Sequence, residues 1–185
     1  MKPRMAAIGC KPHDLLTHGL DTKGQLRDRV AHPEQFQDSP LGRVPNDWQL
    51  RRIGEEAEIQ HGYAFDGRLF SNKPLGRRLL VPGNFHRDGG LYFTDDNTKY
   101  YAGDYPPETV LSNGDILIVM TDLSPLPLIL GRTVLLEQPF PVLHNQRIGK
   151  FQLERPPQGG FALLGNSCEF NSFVQDCGQG QNFPV

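Results

Sequence analysis

The sequence contains no apolar run approaching the roughly 20 residues that cross a bilayer, and its N-terminus lacks the apolar core of a signal peptide. A soluble, cytoplasmic protein is expected. Cysteine is scarce: the three present, Cys10, Cys168 and Cys177, lie at spacings that match no zinc pattern, so reduced thiols are the default reading. Nor is there an excess of positive charge. A formal net charge of −2 argues against a generally basic nucleic-acid binder. Catalytic motifs are missing too: no H-E-x-x-H pair, phosphate loop or G-x-S-x-G nucleophile turn, and no glycine-rich strand-to-helix turn of the kind a methyl donor would require. Of the six histidines, His13 and His18 fall in a weakly patterned N-terminal segment, and His61, His86 and His144 are each isolated. Asp95 and Asp96 are adjacent, so on a strand they point to opposite faces and cannot share a site. No catalytic residue, metal site or cofactor is expected.

What is present favours sheet. Hydrophobic residues make up 37% of the chain, while 20 glycines and 16 prolines imply many turns, as in a β-rich or α+β domain and unlike a helical bundle. The length of 185 residues fits one domain of the usual size plus a tail.

The most organised stretch runs from Leu111 to Phe151. Asn113-Gly114 is a turn signal, and Ile116 to Met120 has the length and β-branching of a buried strand. A second apolar run, Thr133 to Leu136, follows a proline-broken segment, and Phe151 and Leu153 alternate with polar neighbours as one face of a third strand would. Polar residues sit between these strands: Thr121, Asp122 and Ser124 in one loop, and His144, Asn145, Gln146 and Arg147 in another. A rigid sheet carrying polar loops is a common way to build a reading surface.

Charge is unevenly distributed. From Gly67 to Arg87 there are five cations (Arg68, Lys73, Arg77, Arg78 and Arg87) and no acid, while Glu55, Glu56 and Glu58 cluster just upstream. Such a segment is either a solvated surface loop or a local positive face that tracks phosphates with salt-dependent affinity. Leu79-Leu80-Val81 reads as a core strand, followed by a loop from Pro82 to Gly90 that contains Asn84, His86 and Arg87. Asn and Arg side chains can pair bidentately with adenine and guanine edges, although Asn and Gly also dominate ordinary turns.

The remaining segments are plainer. Met1 to Pro40 is polar and poorly periodic, apart from one possible helical turn at Leu15, Leu16 and Leu20, and reads as an extended arm. From Pro45, Trp48 and Leu50 alternate as in a short strand, with Trp48 read as an anchor at the core edge, and Gly54-Glu55-Glu56 opens a turn of helix. In His61-Gly62-Tyr63-Ala64-Phe65, Gly62 is expected to supply an unusual backbone angle, Phe65 to plug the core and Tyr63 to stay outside. Tyr92 to Tyr101 alternates aromatic and acidic residues. Asp95 and Asp96 would repel phosphate and are expected away from it. Gly160 to Cys177 fits two short helices.

Three of these blocks, G-D-I-L-I-V-M-T-D-L from Gly114, L-G-R-T from Leu130 and H-N-Q-R-I-G from His144, resemble the target recognition domain of a type I restriction-modification specificity subunit. Asp14 to Arg27 with Ser39 to Glu55 resembles the lead into such a domain, and Phe161 to Gly180 its helical exit. The resemblance implies an α+β, β-rich target recognition domain with short peripheral helices over 41–185, incomplete at its C-terminus, behind an N-terminal arm over 1–40. It further implies sequence-specific binding of double-stranded DNA without catalysis. Methylation and ATP-driven cleavage would belong to separate modification (methyltransferase) and restriction subunits, its expected partners. The matching G-x-A-F segment would begin an exposed loop near DNA. On that basis Lys73, Arg77 and Arg78 are assigned to phosphates, and Tyr63, Asn84, His86, Arg87, Thr121, Asp122 and Ser124 to the neighbourhood of bases. For His144 to Arg147 a structural role, tying loops together, is favoured over base contact. Two other readings stay open: a protein-interaction module docking on a modification subunit, and a small metal-dependent hydrolase using His61, His86 or His144.

Overall fold

The computed structural model describes residues 12–40, 42–123 and 128–153. The expected helices between Gly160 and Cys177, the three cysteines and Ser124 lie outside them. The chain divides into two compact units, one up to Arg52 and one from Ile53, whereas the sequence puts the boundary at 40/41.

In the first unit, helix α1 (Pro12–His18) is closed by Gly19, whose φ of +64° is the left-handed conformation that ends helices at low cost in glycine. Strands β1 (Phe36–Gln37) and β2 (Val44–Pro45) pair antiparallel. The described part of the expected extended arm is therefore folded. What holds it is mostly polar. Asp21 accepts the backbone N–H groups of Lys23 (2.9 Å) and Gln25 (2.8 Å), Arg27 pairs with Asp47 at 2.8 Å, and the Gln37 amide reaches the carbonyls of Pro45, Asn46 and Trp48. Hydrophobic periodicity cannot reveal such a network. Trp48 lies in no strand and is 37% exposed, with its ring against Gly19.

The second unit opens with one helical turn, α2 (Ile53–Glu56), and continues as strands β3 (Ala57–His61), β4 (Phe70–Ser71), β5 (Arg77–Leu80), β6 (Lys99–Tyr101), β7 (Val110–Leu111), β8 (Ile116–Val119), β9 (Thr133–Leu135), β10 (Val142–His144) and β11 (Ile148–Leu153). They form a five-stranded sheet, β4-β6-β5-β10-β7, and a four-stranded sheet, β3-β11-β8-β9. The fold class is α+β and β-rich. Among the described strands only β5 and β10 pair in parallel, with Leu80 opposite His144.

Leu80, Leu111 and Val142 of the first sheet meet Leu117, Val119, Val134 and Ile148 of the second in one core. The opposite faces carry Leu79, Tyr101 and Leu143, packed with Phe65, and Ala57, Ile116, Ile118 and Phe151. Every residue of β8 is buried, which explains why its run is continuously apolar and does not alternate. Each fully buried Leu or Ile contributes about 1.5–3 kcal/mol by leaving water. At the start of β8, Gly114 takes a φ of +94° and Asp115 accepts the Ser112 N–H at 2.8 Å, closing the expected turn.

Candidate nucleic-acid interface

Strand register brings four segments to one end of the second unit. Because β5 and β10 are parallel, the loop after Leu80 and the turn after His144 leave the sheet on the same side. Strand β11 begins after that turn and runs antiparallel to both β8 and β3, so the exits of β8 (towards Thr121) and β3 (towards Tyr63) arrive there as well. Backbone hydrogen bonds join them. Tyr63 N–H donates to His144 C=O at 2.8 Å, Gln146 N–H to Tyr63 C=O at 3.1 Å, and Met120 N–H to Arg147 C=O at 2.9 Å.

Tyr63, His86, Arg87, Thr121 and Asp122 are therefore carried on neighbouring segments. Tyr63 is 42% exposed, its ring edge-on to buried Phe65 at 5.0 Å. Gly62 is not in the left-handed region; it is glycine because a Cβ there would collide with the Asn145 carbonyl. Beyond β5, the 3-10 turn Pro82–Asn84 leads into a small loop closed by pairing of Phe85 with Leu91 and by donation from His86 N–H to Gly90 C=O at 2.9 Å. Arg87 is exposed near its tip, and among the described residues no carboxylate pairs with it. His86 is exposed, edge-on to Tyr92 at 5.7 Å. Asp122 accepts the Ile129 N–H at 3.3 Å, which closes the base of its loop.

Asn84, expected near bases, does not face solvent. It is fully buried, its Oδ1 accepting the Val81 N–H at 2.9 Å and its Nδ2 donating to Asn97 C=O at 3.2 Å. An amide already committed at both ends cannot read a base, so Asn84 is a brace for the loop that carries His86 and Arg87. Asn97 continues the brace by donating to Gly83 C=O at 3.1 Å. Asp95 and Asp96 are exposed on the turn that Asn97 closes, beside this loop.

The cation run is divided. Arg68 is bound to Asp66 at 2.6 Å, which holds that carboxyl below its usual range. Arg77 and Arg78 start β5, at the end of the strand opposite its loop, and are half-buried in a groove of about 590 Å³. The Arg78 guanidinium lies 3.9 Å from the Phe140 ring centre and 5.7 Å from that of Tyr100, and Arg77 lies 5.8 Å from that of Tyr105. Stacking of this kind leaves guanidinium edges available for in-plane donation to an oxyanion. Lys73 is exposed nearby in sequence, before Pro74 of the groove wall.

The turn after β10 splits the segment that the sequence treats as one. His144 and Asn145 are 3% and 5% exposed. His144 Nε2 lies 2.8 Å from the Ile148 carbonyl, an acceptor only, so that nitrogen carries the proton and donates. Burial, with the nearby Lys150 charge, pushes the His144 pKa down, outweighing the Ile148 carbonyl and Asp115. Asn145 Oδ1 accepts the Arg147 N–H at 3.0 Å. Gln146 and Arg147 point outward, exposed. Among the described residues no three His, Cys, Asp or Glu side chains are grouped as metal ligands, and no helix is long and apolar enough to cross a membrane.

No known protein family matches the sequence, and no curated protein does. The solved structures that match the chain include two of low identity. One, from work on complex assembly and conformational transition of a type I R-M system, gives a TM-score of 0.47 at 16% identity over 80% of this chain. The other, the HsdS subunit from Thermoanaerobacter tengcongensis, gives 0.42 at 18% identity over 85%. The chain spans 33% and 34% of their respective lengths.

Proposed function

We propose that the second unit is a target recognition domain of a type I restriction-modification specificity subunit. In this reading it binds double-stranded DNA by sequence, performs no chemistry, and serves modification and restriction subunits that methylate and cleave. The observation that carries the reading is the convergence, at one end of a two-sheet scaffold, of exposed Tyr63, His86 and Arg87 with Thr121 and Asp122. These side chains supply donors, acceptors and a ring at the edge of a rigid support, which is what readout of base edges in a groove requires.

Lys73, Arg77 and Arg78 are proposed to hold phosphates. The separation this implies is compatible with one duplex: the length of β5 is on the order of 10 Å, against a major groove about 12 Å wide. A duplex lying alongside β5 could meet loops at its base edges and arginines at its backbone. A single recognition domain of this size buries roughly 600–1,000 Å² and binds modestly. The test is titration of a labelled random-sequence duplex at several salt concentrations. Wild-type protein is expected to bind at low salt and to lose affinity steeply as salt rises. The Arg77→Ala, Arg78→Ala double variant is expected to bind all duplexes more weakly, with a shallower salt dependence. Unchanged binding would remove both arginines from the interface.

A further inference from the structure

The turn joining β10 to β11 is tied to the segments on both sides of it, and its ties leave two side chains over. His144 and Asn145 are consumed internally, by Ile148 C=O at 2.8 Å and Arg147 N–H at 3.0 Å. The backbone at Gln146 and Arg147 is engaged on both sides, Gln146 N–H by Tyr63 C=O and Arg147 C=O by Met120 N–H, and Ile148 N–H donates back to Asn145 C=O at 3.0 Å. Behind the turn, Gly62 lies so close to the Asn145 carbonyl that no side chain fits between them. The turn thus links the exits of β3 and β8 to the entry of β11, and it follows β10, whose parallel partner β5 leads into the His86–Arg87 loop. Gln146 and Arg147 alone project from it, both exposed, and among the described residues no carboxylate pairs with Arg147.

We infer that Arg147, with Gln146 beside it, is the fixed clamp that seats the duplex backbone. This rests on the proposed DNA-binding reading and deepens it. Phosphate contacts set register without carrying sequence, so they are served best by the part of the surface that cannot adjust. The guanidinium donates in its plane to a phosphate oxygen, and Gln146 adds a neutral donor to the same backbone.

The test compares wild-type protein with Arg147→Ala, Arg147→Lys and Gln146→Ala by anisotropy on a panel of duplexes differing at single base pairs, across a salt series. Arg147→Ala is expected to weaken binding about tenfold on every duplex, the scale of one charge-assisted hydrogen bond, and to lower the slope of log affinity against log salt by about 0.9. Arg147→Lys is expected to keep the slope, since a point charge still neutralises a phosphate. Loss confined to duplexes bearing one particular base pair, or unchanged affinity for Arg147→Ala, would overturn the inference. The side chain is exposed, so thermal melting should match wild type and exclude misfolding. Failure of the wild type to bind any duplex at low salt is a different result: it overturns the proposed function, and this clamp with it.

Discussion

Asn84, His144 and Asn145 resemble reading residues in type but are spent on structure, and their burial makes the distinction measurable. Replacing Asn84 by Ala leaves the part-buried Val81 N–H and Asn97 carbonyl without this partner. A loss of about 1–3 kcal/mol per group is expected, read as a lowered denaturation midpoint, with the affinity of the molecules that remain folded little changed. His144 gives a pH signature. Its folded pKa is lowered by burial, so the unfolded chain takes up the proton first as the pH falls through about 6.5. Its contribution is full above that pH and is lost progressively below it. Denaturation midpoints measured between pH 7.5 and 5.5 should fall, and His144→Gln should flatten that slope. Arg78 differs from Arg77 in sitting close over Phe140; Arg78→Ala should therefore cost about 1 kcal/mol of stability beyond any effect on DNA.

Among the elements, the parallel pairing of β5 with β10 matters most, because it sends the His86–Arg87 loop and the Gln146–Arg147 turn to the same end. Gly62 secures the third contributor. Gly62→Ala would drive a methyl group into the Asn145 and His144 carbonyls, breaking the Tyr63 bridge. A loss of about 2 kcal/mol or more is expected, together with weaker duplex binding as Tyr63 is displaced. The apolar runs that become β5, β8 and β9 were legible because burial on one or both faces writes itself into hydrophobicity. Gly62 was legible as special but for the wrong reason: a sequence announces a glycine without saying whether angle or space requires it. The split of His144–Arg147 into two buried and two exposed residues was not legible, since all four are polar and only the fold decides which face inward. The first unit's hydrogen-bonded framework was hidden for a related reason, its stability coming from Asp, Gln and Arg contacts that leave no period.

At the scale of the whole molecule, the proposed function requires a chain of net charge −2 to attract DNA through local arrangement. On that proposal Arg87 and Arg147 would supply it at the loop end and Arg77 and Arg78 at the other end of β5, against the charges of Asp95 and Asp96 beside the loop. Overall binding is expected to be weak and steeply salt-dependent, and to strengthen by orders of magnitude when two such domains are linked at a fixed spacing, because the second contact becomes intramolecular. Covalent linkage of two copies, with affinity measured against spacer length in a duplex carrying two sites, would test this. The most direct measurement is selection of bound sequences from a random duplex pool at low salt, with wild-type protein and with Arg87→Ala in parallel. Enrichment of one short motif by the wild type, relaxed at a single base pair by Arg87→Ala, is the expected result; a pool recovered without enrichment, or a motif untouched by every substitution at the loop end, would contradict the assignment of this surface to DNA reading.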